Sequence, residues 1–402
     1  MNEFGLELFR AARTDENGAI SPPSIAAAFS LAVPGANGTT LAELRRALRV
    51  GSDDVAYMRL GHELLQSISD RAELEAASRA FVDDDLSLKA EYERTIASAA
   101  GMSFERLPIS SDPEGARVRI NRWVDQTTKG KIPSLLPPGL VTTRTQLALV
   151  SALSLSGSWM HPFKLDDTRP GPFHLLTGQT IEVPMMHAQR RASYARVDGV
   201  KLLELPFRGD LSMLFVLPDE GEDDSTGSTG LGLGQLGPRS SAPTPSTPAN
   251  RVAPSRPAAS AKPAKTLRQV EDALTVETLE RWTSRLSRSN VSIAIPRFTV
   301  DAPLDLKPPL MSMGIRRAFK EGEADFSKLS AKRLYIEHAV HRSFVHVDER
   351  GVEAGAATAL LFGSRGATPM PSFHADQPFL FLIRDQKTQA ILFIGRVTHP
   401  RD

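Results

Sequence analysis

Residues 145–156, TQLALVSALSLS, alternate cleanly. Leu147, Leu149, Ser151, Leu153 and Leu155 fall on one side, and Ala148, Val150, Ala152 and Ser154 on the other. A period of two over this length predicts a long strand, and the small side chains of its second face suit a sheet closely covered by another layer. Elsewhere the spacing is helical. Residues 3–13 place Phe4, Leu8 and Phe9 on one face, and 41–48, 54–69, 89–99 and 275–286 also read as helices. Ile20–Ile25 opens a further helix that Ser21 or Ser24 would cap, and the helix through 120–125 is stopped by Gly130 and Pro133. Strand-like runs occur near 74–82, 102–107, 291–295 and 344–347. Between 181 and 218, VPMMHA, LLELPF and SMLFVLPD read as several short strands separated at Asp198–Gly199 and Gly209–Asp210. Residues 378–385 and 390–397 read as a hairpin, and with those short strands they form a second, compact sheet. The mixture predicts an α+β fold.

After the strand at 344–347 comes a tract of small residues, Gly351-Val352-Glu353-Ala354-Gly355-Ala356-Ala357-Thr358, and then a loose stretch through Gly363, Ser364, Arg365, Gly366, Pro369 and Pro371. On residue types alone it reads as a short exposed helix, a surface loop or a latent strand. In the strand reading, Val352, Ala354, Ala356, Thr358 and Leu360 share one face and are small or β-branched enough to slide between existing strands.

Residues 220–265 change character. Seven prolines lie between Pro238 and Pro263, and no aromatic occurs between Phe215 and Trp282, so the tract is expected to be a disordered insertion. Its Gly232–Gly237 matches GxGxxG, but no strand precedes it and Pro238 follows, which removes the dinucleotide reading. A net charge of +1 argues against nonspecific attraction to nucleic acid or membrane, and no apolar run is long enough to span a bilayer. Zero cysteines exclude disulfides and thiolate chemistry. The nine histidines show no metal spacing, and no hydrolase motif is present, so neither a cofactor, a metal nor an enzyme is expected. The first residues lack a signal-type apolar core, which alone would suggest the cytoplasm.

Glu349-Arg350-Gly351-Val352-Glu353-Ala354-Gly355-Ala356-Ala357-Thr358 resembles the hinge of the serpin family, the serine protease inhibitors. Residues 157–163 (GSWMHPF), Gly35–Thr40, Pro296–Phe298 and Ile336–Arg342 extend the likeness over nearly the whole chain outside 220–265. The resemblance implies one domain over 1–402 with a large, mostly antiparallel central sheet, smaller sheets, about eight to nine helices and an exposed reactive loop. Within that domain, 349–373 would be hinge and reactive loop.

It also implies a suicide substrate, a monomer that traps a serine protease as a covalent acyl complex by inserting the loop into the central sheet. Counting Glu349 as first, the seventeenth residue is Arg365, so the cleaved bond would be Arg365–Gly366 and the target trypsin-like. By the same likeness, Ser21, Ser24, Ser151, Trp159 and His341 belong to the region where the sheet opens, and Arg297 pairs with Glu349 at the hinge. Ser151 departs from the family, which usually carries asparagine there. The family also suggests the extracellular space. The alternatives are a non-inhibitory binding or storage protein on the same fold, or an inhibitor of a cysteine protease.

Overall fold

The computed structural model describes residues 1–51, 53–69, 73–98, 104–219, 265–351 and 370–401. The expectations for Val352, Glu353, Ala354, Gly355, Ala356, Ala357, Thr358, Arg365 and Gly366, and for 220–264, lie outside those residues. In chain order the first half contains α1 (Asn2–Ala11), β1 (Gly18–Ile20), α2 (Pro22–Phe29), α3 (Gly38–Leu48), α4 (Asp54–Ser69), β2 (Glu73–Asp83), α5 (Ala90–Ser98), β3 (Phe104–Leu107), α6 (Pro113–Thr127), β4 (Leu147–Ser156), β5 (Thr168–His174) and β6 (Thr180–Val197). The second half contains β7 (Val200–Pro206), β8 (Leu211–Pro218), α7 (Leu267–Ala273), α8 (Val276–Thr283), β9 (Ser287–Pro296), β10 (Phe298–Asp305), α9 (Lys307–Ser312), β11 (Ala339–Val347), β12 (Ser372–His374), β13 (Phe379–Asp385) and β14 (Ile391–Val397).

Two sheets result. The central one has the order β10-β11-β4-β2-β3 and alternates antiparallel and parallel pairings. The other runs β1-β14-β13-β8-β7-β6-β9-β12, with β5 added on β6. It differs from the compact sheet of short strands that the sequence suggests. Residues 180–197 form one long strand whose first part pairs β5 and whose end pairs β7, while β9 runs beside most of it. Asp198 and Gly199, with φ of 52° and 76°, then make the tight return into β7.

The helix α2, PPSIAAAF, has Ser24 as its single polar side chain, and all eight of its residues are buried. Such a helix must lie inside a domain. It packs against β2, β4 and β14, between the two sheets, with α4 beside it. The opposite face of the central sheet is covered by α6: Ala116, Ile120 and Val124 join Phe81, Val150 and Ala152 in one buried cluster. The small side chains on that face of β4 let the helix approach closely, so β4 is buried on both sides. Among the described residues no helix is long and apolar enough to cross a membrane.

Candidate functional site at the seam between β4 and β11

The strands β4 and β11 run parallel as direct neighbours, from Ala339 opposite Leu149 to Val345 opposite Leu155. Along β11 every second residue is buried, which puts His341 and Ser343 on the same inner face as Ser151. Beneath that face lies the start of α2. Its Ser21 is the N-cap and accepts from the Ser24 amide at 3.4 Å, and Pro22 suits the first turn, where no amide donor is needed.

His341 Nε2 accepts from the Ser21 amide at 3.0 Å, with the Ser343 hydroxyl 2.8 Å from the same nitrogen. A nitrogen that accepts from an amide carries no proton, so the ring proton sits on Nδ1 and points to Ser151 Oγ at 3.3 Å. Ser151 Oγ in turn lies 2.6 Å from Ser24 Oγ. Burial lowers the His341 pKa to about 3, so the ring is neutral and the network is held without charge. It ties both seam strands to the helix below them.

The upper end of the seam is pinned separately. Residues 348–351 fold back on Gly157–Phe163. The Trp159 amide donates to the Arg350 carbonyl at 3.1 Å, Trp159 Nε1 to the Asp348 carbonyl at 3.0 Å, and the Phe163 amide to the Glu349 carbonyl at 2.8 Å. Trp159 stacks on Phe207 with ring centroids 4.3 Å apart. Gly351 has φ +86°, and a Cβ there would stand 2.1 Å from the Trp159 amide nitrogen, so no side chain fits.

Arg297, between β9 and β10, grips the Glu349 carboxylate. Its Nε donates at 2.8 Å to one oxygen and 3.0 Å to the other, and a terminal nitrogen lies 2.6 Å from the first. Thr168 Oγ1 donates to the same carboxylate at 2.5 Å. Only 7% of the Glu349 side chain is exposed. Burial pushes its pKa up, but hydrogen bonds from Arg297 and Thr168 outweigh that and hold it below the ordinary carboxylate value.

The structure thus brings Ser21, Ser24, Ser151 and His341 together and separates Trp159 from them. Trp159 belongs with Arg297, Glu349 and Gly351 at the end of the strands. Ser343, Asp348, Phe163 and Thr168 were not singled out from the sequence. Ser343 was within reach, since it follows His341 by two on a strand, whereas nothing around Thr168 signals that it meets Glu349. Among the described residues no group of His, Cys, Asp or Glu is arranged to hold a metal ion.

The family model for Serpin (serine protease inhibitor) matches residues 1–228 and 259–400. The chain belongs to the serpin family. The internal gap in that match to this serpin, 229–258, lies within the proline-rich tract. The leukocyte elastase inhibitor of Equus caballus is 32% identical over 99% of this chain and 97% of its own length. Antithrombin-III of Mus musculus is 30% identical over 96% of this chain and 77% of its own. Among solved structures, maspin superposes with a TM-score of 0.80 at 25% identity, covering 99% of this chain and 97% of that one. Uncleaved ovalbumin gives 0.78 at 26%, covering 99% and 98%.

Proposed function

We propose that this serpin inhibits serine proteases as a suicide substrate, with Arg365 before the cleaved bond and a trypsin-like target. The observation that carries the reading is the seam itself. Two parallel neighbours, β4 and β11, meet directly, and the chain leaving β11 starts the small-residue tract at the seam's upper end. A strand descending from Gly351 between them would run antiparallel to both and complete a new ladder. The inward positions Val352, Ala354, Ala356, Thr358 and Leu360 place no charge in that slot. From Glu349 to Arg365 an extended chain spans about 53 Å, which sets how far full insertion could carry an attached protease.

In this mechanism the protease serine attacks the Arg365 carbonyl and expels the Gly366 amine, leaving an acyl-enzyme. Insertion then competes with hydrolysis of that ester. The names of the leukocyte elastase inhibitor and antithrombin-III support the inhibitor reading over storage or simple binding. Incubation with trypsin tests it. The expected products are an SDS-stable complex and a released fragment beginning at Gly366. Cleavage without a complex would favour the non-inhibitory reading, and a different new N-terminus would overturn the assignment of Arg365.

A further inference from the structure

Along β6 the side chains of Met186, Ala188, Arg190 and Ala192 share one face, and the first three stand opposite Ile295, Ile293 and Val291 of β9, which are buried. An arginine is out of place in that row. Burial lowers its pKa to about 10, and no carboxylate stands near enough among the described residues to raise it again. Burying a cation in this way costs free energy that an apolar side chain at the same position would avoid.

The compensation comes from one segment. The Arg190 guanidinium lies over the Phe163 ring, 4.4 Å from its centroid, and donates to the His161 carbonyl. That segment is otherwise held at its ends. The Met160 amide donates to the Pro206 carbonyl at 2.9 Å, and His187 Nδ1 lies 3.2 Å from the Asp167 carbonyl. Between those anchors, among the described residues, two hydrogen bonds tie the segment to the rest of the molecule. One is the bond from Arg190, and the other runs from the Phe163 amide to the Glu349 carbonyl at 2.8 Å. Phe163 is buried and sits edge-on to Trp159, with ring centroids 6.4 Å apart. Arg190 thus fixes the segment whose Phe163 amide holds the hinge.

We infer that Arg190 is a positioning residue for the trapping reaction: it seats Phe163, and through the Phe163 amide it sets how readily Glu349 and the chain beyond it leave the upper end of the seam. This rests on the suicide-substrate reading, in which the hinge has to stay closed until a protease has cut the loop. A hinge released early opens the seam before a protease arrives and offers its unpaired strand edges to a neighbouring chain.

Hydrogen exchange read by mass spectrometry tests the seating directly. Arg190→Met should raise exchange of the Phe163 and 348–351 amides about tenfold, because a cation–π contact and a hydrogen bond are lost together. The amides of 149–155 and 339–345 should keep their wild-type protection, which also shows that the variant folds. Phe163→Leu should reproduce the effect, and the double variant should add nothing to either single one, because Arg190 acts through that ring. Arg190→Lys, which keeps a cation over the ring, should recover part of the protection. Arg191→Met, on the opposite face of β6, should change nothing. On mild heating Arg190→Met should lose trypsin inhibition several-fold faster than wild type. Unchanged hinge exchange or an unchanged rate of loss in Arg190→Met, additive effects in the double variant, or equal effects from Arg191→Met would overturn the inference. If wild type traps no trypsin, the suicide-substrate reading fails, while the exchange measurements still decide whether Arg190 seats the hinge.

Discussion

Arg297 and Glu349 form a two-point ion pair, with Nε 2.8 and 3.0 Å from the two carboxylate oxygens, across the upper end of the seam from which the chain leaves β11. Glu349 is buried and Arg297 half-buried, which sets the pair apart from ordinary surface bridges worth less than about 1 kcal/mol. Glu349→Lys should therefore leave two cations facing each other, lower stability by about 2–3 kcal/mol and speed polymerisation on mild heating several-fold. Arg297→Glu in the same molecule should recover part of the loss. Native gels sampled over time at one temperature measure both, and equal rates for wild type and Glu349→Lys would remove the pair from any role in holding the seam.

Acid should loosen the seam through His341. Its folded pKa, about 3, lies below the ordinary 6.5, so the fold favours the neutral ring. That contribution is complete above pH 6.5 and is lost as pH falls from 6.5 towards 3, by up to about 1.4 kcal/mol per pH unit. The thermal midpoint of wild type should fall over this window more steeply than that of His341→Gln, which cannot take up the proton. Parallel midpoint curves for the two proteins would refute the assignment.

Gly351→Ala tests the pinned turn. The added carbon meets the Trp159 amide nitrogen at 2.1 Å in a conformation that side chains rarely adopt. A loss of about 2–3 kcal/mol is expected, with freer Trp159 fluorescence. An unchanged midpoint would mean that the turn yields without cost.

Ala356→Glu and Thr358→Arg should turn the inhibitor into a substrate. Insertion would then bury an unpaired charge, which costs several kcal/mol and slows the step that competes with hydrolysis. Cleavage after Arg365 should persist while the SDS-stable complex disappears. Either variant trapping trypsin at wild-type stoichiometry would disprove an inserting strand over 352–360.

The strand at 147–156 was legible because alternation is a local property: which side chains share a face follows from the pleat alone. The helices at 2–11, 54–69 and 276–283 were legible for the same reason, and the start of the helix at 22–29 was legible from Ser21 and the prolines that follow it. Zero cysteines and balanced charge narrowed the chemistry, and the residues around Gly351 pointed to the family. Of the long strand β6 only VPMMHA, 183–188, was read, because the polar Gln189-Arg190-Arg191 breaks the apolar pattern, while its continuity comes from β5, β7 and β9 alongside.

Only the tertiary structure decided that β11 lies beside β4, because strand order depends on which distant segments meet. The same holds for the contacts that close the seam. His341 reaches Ser21 across 320 positions, Thr168 reaches Glu349 across 181, and Trp159 reaches Asp348 across 189. Each is a hydrogen bond between groups with many possible local partners, so no spacing along the chain could single it out.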